Sequence, residues 1–251
     1  MKFFFMVFGL LFVSVLPNQT MAEEDTNTPS SEIIEKYKED VTGDSHKETI
    51  LLEGTKLTNE SDYFMDTWVK VTTEDGDEWK IGYEGGYDPA LQFIDFNHDG
   101  VADIFYQSAT GGSGGLHYYH LHTLNKHILK EISLPVQRYV SAAFLNNFKV
   151  KIQLNPEDDP IYKNVKNRFS EYIRLGIYNK EGKVLGNNSP MIDPIALYEP
   201  VLISEQKGYG LKSYQQISGA YHADQLGTIE TLWYYEKGKW IILKTEWVSS
   251  G

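Results

Sequence analysis

From Thr49 onward, apolar and polar residues alternate with a period of two, the pattern of a strand with one face in a core. Candidate strands cover residues 49–53, 64–73, 79–83, 91–94, 103–108, 116–124, 148–154, 172–178, 211–217, 228–235 and 240–247. Turn formers separate them, notably Glu74-Asp75-Gly76-Asp77, Asn179-Lys180-Glu181-Gly182 and Glu236-Lys237-Gly238-Lys239, and the last two predict hairpins around Gly182 and Gly238. Residues 160–168 fit either a helical turn or an irregular crossing. Only before this region does the period lengthen: Ile33, Ile34, Tyr37 and Val41 recur at helical spacing, predicting one short N-terminal amphipathic helix that ends near Asp40. The chain is therefore expected to be mainly β, built of antiparallel sheets.

The first residues set the expected compartment. Lys2 precedes an almost unbroken apolar run over residues 3–16, and a polar stretch from Pro17 then ends in the small residue Ala22. That layout predicts a secretory signal over residues 1–22, cleaved after Ala22, with a disordered acidic leader over 23–31 and a single β domain over 32–251. A run of that length is short for a bilayer span, and with no second long apolar stretch the exported chain is expected to cross no membrane. Cleavage moves the net charge from −12 to −13 by removing one lysine. Such acidity argues against nucleic acid, which needs lysine and arginine to neutralise phosphates. The absence of cysteine excludes disulfides, thiolate zinc sites and a lipid-anchored terminus. An exported chain without disulfides needs another staple.

Residues 95–104, DFNHDGVADI, supply one. Asp95, Asn97, Asp99 and Asp103 place side-chain oxygens at loop positions 1, 3, 5 and 9, glycine stands at 6, and Val101 at 7 offers its carbonyl. Alternate positions of a tight loop converge, and a hard cation such as Ca²⁺ takes six to eight oxygens. Three gathered carboxylates would otherwise repel one another. Position 12 is Tyr106 rather than the bidentate glutamate of a helix–loop–helix site, and the flanks predict strands. The expectation is a strand–loop–strand calcium site.

The spacing recurs 55 residues earlier. Asp40, Thr42, Asp44 and Glu48 occupy positions 1, 3, 5 and 9, with His46 at 7 contributing its carbonyl, while Ser45 replaces the glycine and Thr42 offers only a hydroxyl. A weaker ion site, or a relic of one, is expected there. A third echo over residues 205–213 keeps glycine but sets Lys207 at a ligand position, so no ion is expected. Such repetition signals growth by duplication.

The loop at 95–104 resembles the calcium loop of FG-GAP/VCBS-type repeats found in integrin-like propeller blades. More widely, residues 40–50, Gly82-Tyr83, 95–108, 110–115 and 217–227 with Trp240 make the chain similar to secreted VCBS-repeat proteins of Bacillus and related Gram-positive bacteria. The resemblance implies calcium-binding β structure outside the cell, in propeller-blade-like repeats, and no particular activity. Seven blades of the loop spacing would not fit the length, so an incomplete propeller or fused sheets is expected.

Catalytic readings fare less well. Gly111-Gly112-Ser113-Gly114-Gly115 satisfies G-x-S-x-G, but a nucleophile elbow needs a helix after the serine and a strand pattern follows. His120 and His122 share a strand face, a pair that chelates a transition metal only with a third ligand. Glu157-Asp158-Asp159 lies in a Pro-flanked turn. The expected role is a non-catalytic binding or cell-surface-associated module with Ca²⁺ as structural staple. A secreted hydrolase acting on cell-wall polymer or glycan, and a partner or inhibitor of another exported protein, stand as alternatives.

Overall fold

The computed structural model describes residues 31–250, so the expected signal and most of the leader lie outside the described residues. The described residues are mainly β, arranged as three antiparallel sheets with one short α-helix. No helix among the described residues is long and apolar enough to cross a membrane.

The first sheet holds β1 (Ser31–Glu39), β2 (Glu48–Lys56), β3 (Tyr63–Thr72), β4 (Glu78–Ile94), β5 (Asp103–Ala109), β6 (His117–Thr123) and β7 (Lys130–Glu131), in that order. A small sheet follows, of β8 (Ser141–Leu145), β9 (Lys149–Gln153) and β10 (Ile161–Asn164), then α1 (Phe169–Arg174). The last sheet runs β11 (Met191–Ser204), β12 (Gly208–Ser218), β13 (Gln225–Glu236) and β14 (Lys239–Ser249). Among the described residues, every strand pairs only with its neighbours in sequence.

The expected N-terminal helix is instead the strand β1. Its pairing with β2 carries a register shift between Ile33 and Glu35. A β-bulge breaks the two-residue alternation, so Ile34 and Tyr37, three apart, both pack on the core, as two residues of a helix would. The strand expected over 172–178 is corrected in the opposite sense. Tyr172 lies in α1, fully buried, and the helix stops at Gly176, whose φ of +70° suits a residue without a Cβ. Here tertiary burial of aromatic rings overrides their β preference. Residues 79–83 and 91–94 belong to one long β4, bent by a register shift between Tyr87 and Ala90. β11 escapes a reading by pattern because Pro194 and Pro200 interrupt it, yet it is an edge strand, where proline is tolerated.

The bend in β4 curls the first sheet over its own core, which includes Val41, Ile50, Leu52, Val69, Ile104 and Tyr106. Tyr37 of β1 thereby meets Phe93 at the far end of β4, ring to ring at 5.2 Å. β5 is buried on both faces. Ile104 and Tyr106 point into the first core, while Phe105 joins Phe96, Leu121, Tyr198, Leu211 and Trp233 in a second core shared with the last sheet. A third core packs the small sheet and Tyr172 of α1 against Ile217, Leu226 and Ile229 of the last sheet.

Candidate metal centre

Both acidic loops enter or leave the first sheet at the same kind of place, between two strands, and they share a hydrogen-bond plan. In each, an apolar residue at position 2 is fully buried, Val41 in one and Phe96 in the other. Its N–H donates to the carboxylate at position 9: Val41 to Glu48 and Phe96 to Asp103, both at 2.9 Å. The side chain at position 3 donates to the same carboxylate, Thr42 Oγ1 at 3.4 Å and Asn97 Nδ2 at 3.0 Å. Position 6 donates its N–H to position 1, Ser45 to Asp40 at 2.9 Å and Gly100 to Asp95 at 3.0 Å. Position 7 donates to position 5, His46 to Asp44 at 2.7 Å and Val101 to Asp99 at 3.1 Å.

The backbone plan is shared too, with its glycine moved. Positions 4 and 6 are both left-handed in both loops: Gly43 and Ser45 at φ +78° and +72°, His98 and Gly100 at +60° and +87°. Each loop therefore holds one glycine and one strained non-glycine residue. The loops also touch. A Cβ on Gly43 would lie 2.5 Å from Val101 Cγ2, so the missing side chain at position 4 of the first loop makes room for position 7 of the second. His98 stacks on Tyr234 of β13, with ring centroids 4.5 Å apart, and ties the second loop to the last sheet.

The carboxylates gather unevenly. One oxygen each from Asp40, Asp44 and Glu48 lies within 4.8 Å of the other two, the only such group of three acids or histidines among the described residues. Asp95, Asp99 and Asp103 do not gather that closely. Asp103 is one methylene shorter than Glu48 and is turned onto the N–H groups of Phe96 and Asn97. Its burial pushes its pKa up to about 7, with the charges of Asp99 and Asp95 adding to the rise and those two N–H bonds opposing it. Asp44 is held below the usual carboxylate range, chiefly by the His46 N–H. The donors are hard oxygens, a set that suits Ca²⁺ rather than a softer metal.

The remaining motifs sort themselves by partner. The glycine-rich segment 110–116 is a turn from β5 to β6, strand on both sides, with no helix after Ser113. His120 and His122 engage different groups: His120 Nε2 meets Glu84 at 2.6 Å, while His122 is buried beside the Tyr83 hydroxyl, 3.4 Å from its Nδ1. Residues 205–207 form the turn between β11 and β12.

Pattern reading passed over a polar cluster on the loop 219–224 between β12 and β13. Asp193 accepts from Ser218 Oγ at 2.8 Å and lies 2.6 Å from His222 Nδ1. Asp224 pairs with Arg168 at 2.9 Å and accepts from Tyr172 and from the Ala220 N–H. The serine hydroxyl and the imidazole both meet the aspartate, and Ser218 Oγ donates to the His222 carbonyl at 3.0 Å rather than to its ring, so this is no nucleophile–base pair. The clustered Ser, Gly, His and Asp at 218–224 were the available signal.

No solved structure matches the chain. Over 209 residues it is 26% identical to the uncharacterized protein YybI of Bacillus subtilis (strain 168), an alignment that covers 81% of this chain and 79% of that one. Residues 138–248, which carry the small sheet, α1 and the last sheet, match the model of the YybI C-terminal domain.

Proposed function

We propose that the chain is an exported, non-catalytic binding module whose acidic loops hold Ca²⁺ as a structural staple. The observation that carries this reading is the approach of Asp40, Asp44 and Glu48 within 4.8 Å of one another. Three hard oxygens already this close are placed for one cation to share. Support comes also from the matching hydrogen-bond plan of the loop at Asp95, Asn97, Asp99, Val101 and Asp103, where a cation would favour the ionised form of buried Asp103. The carbonyls of His46 and Val101 complete the two donor sets. The likeness to VCBS/FG-GAP repeats rests on these loop residues. With cysteine absent, the ions would supply stiffness outside the cell, leaving the surface to hold cell-wall polymer, glycan or another exported protein.

The test is thermal unfolding with calcium and with EGTA. Free calcium at a hundredfold excess over Kd adds about 2.7 kcal/mol, which for a chain of this size raises Tm by roughly 5–10 °C. Asp44→Asn and Asp99→Ala should each shrink the shift. An identical Tm in calcium and EGTA refutes the staple. Binding is tested separately on purified cell wall and glycan panels, where retention without product release is expected and product release would identify a hydrolase.

A further inference from the structure

Among the described residues, the last sheet ends in a strand with no partner on its outer side. β14 runs for eleven residues, pairs among the described residues with β13 alone and contains no proline, and its exposed apolar residues include Leu243 and Val248, 38% and 47% exposed. A row of unpaired N–H and C=O groups of that length is a template for another strand.

Its charges specify which strand. Thr245 and Trp247 share a face with buried Thr231 and Ile229 of β13, whereas Lys244, Glu246 and Val248 lie opposite Leu232, Glu230 and Thr228 on the other face. On that outer face Glu246 sits directly across from Glu230, a like-charge pair that disfavours the sheet. Glu230 is neutralised from its far side by Lys212 at 2.6 Å. Among the described residues Glu246 pairs only with Lys244, its neighbour along the strand, at 2.7 Å. A cation across the open edge would complete an alternating row.

We infer that β14 pairs antiparallel with β14 of a second copy of this chain, about a two-fold axis through Thr245. An axis normal to the sheet keeps each face on its own side, so residue i can pair only with a residue of the same face. Centring the axis on Lys244 sets lysine against lysine, and centring it on Glu246 sets glutamate against glutamate. Centring it on Trp247 leaves both charges without a charged partner. Centred on Thr245, Lys244 faces Glu246 of the partner subunit and Glu246 faces Lys244 of the partner subunit. Each glutamate then has a cation on the side away from Glu230, and the bulged residue Leu243 comes beside Trp247 of the partner subunit. The two four-stranded sheets join into one of eight.

Sedimentation of the full chain well above micromolar concentration tests this. The wild type should sediment at twice the chain mass. Lys244→Glu and Glu246→Lys should each be monomeric, and the double reversal should dimerise again because opposite charges again face each other. Circular dichroism checks that every variant keeps its β content. A monomeric wild type, a dimer indifferent to the single reversals, or a folded double variant that stays monomeric would overturn the pairing.

Discussion

His122 makes stability depend on pH in a way that can be isolated. The residue is 9% exposed, and its ring packs beside Tyr83 at the inner side of β6. Burial lowers its pKa from 6.5 to about 4, a desolvation effect that the negative charge of Glu131 only partly offsets and that His120 reinforces. The unfolded chain thus binds a proton that the folded chain refuses between those two values. The stability this represents is present above the unfolded pKa and is lost as pH falls toward the folded one. The full loss is about 3 kcal/mol, and about 2 kcal/mol of it is spent by pH 5. Urea unfolding at pH 7 and pH 5, for the wild type and His122→Leu, measures it. The substitution removes the weak Tyr83 contact at both pH values, so that cost cancels in the double difference. The variant should lose about 2 kcal/mol less than the wild type between pH 7 and pH 5. Equal losses would show that the imidazole is protonated in the fold without penalty, and the argument from burial would be wrong.

Two further substitutions test the packing arguments. Asp224→Ala removes the acceptor shared by Arg168, Tyr172 and the Ala220 N–H, leaving a half-buried guanidinium without its carboxylate; urea unfolding should show a loss of about 3–5 kcal/mol, against a smaller one for Asp224→Asn. Ser45→Gly relieves a side chain at φ +72° and should add about 1 kcal/mol in the same assay, whereas Gly43→Ala, with its Cβ 2.5 Å from Val101, should subtract about 2 kcal/mol.

The strands were most legible where alternation ran unbroken. β2, β3, β5, β12, β13 and β14 lie where the period of two places them. The failures share a cause. At β1 a bulge gives Ile34 and Tyr37 helical spacing on a strand face, and at β11 two prolines mask an edge strand. At Tyr172 the core decides between helix and strand, and no local pattern could. The acidic loops were visible because position-specific oxygens must recur wherever such a turn recurs. Their relative tightness was not visible. It depends on one methylene of Glu48 and on where Asp103 spends its oxygens, which are matters of packing depth rather than of spacing.

Strand order carries a consequence for how the chain comes to be folded. Among the described residues no strand pairs with anything but its sequence neighbour, so each ladder closes a loop no longer than the connection between consecutive strands. Little chain entropy is lost before contacts repay it, and folding should be fast for an all-β protein. A chain that emerges end-first from a ribosome or a translocation channel could add its hairpins in order of arrival, without holding sticky edges open for a distant segment. Only the core formed by Phe96, Phe105, Tyr198 and Trp233 must wait for both ends, and that makes it the natural last step.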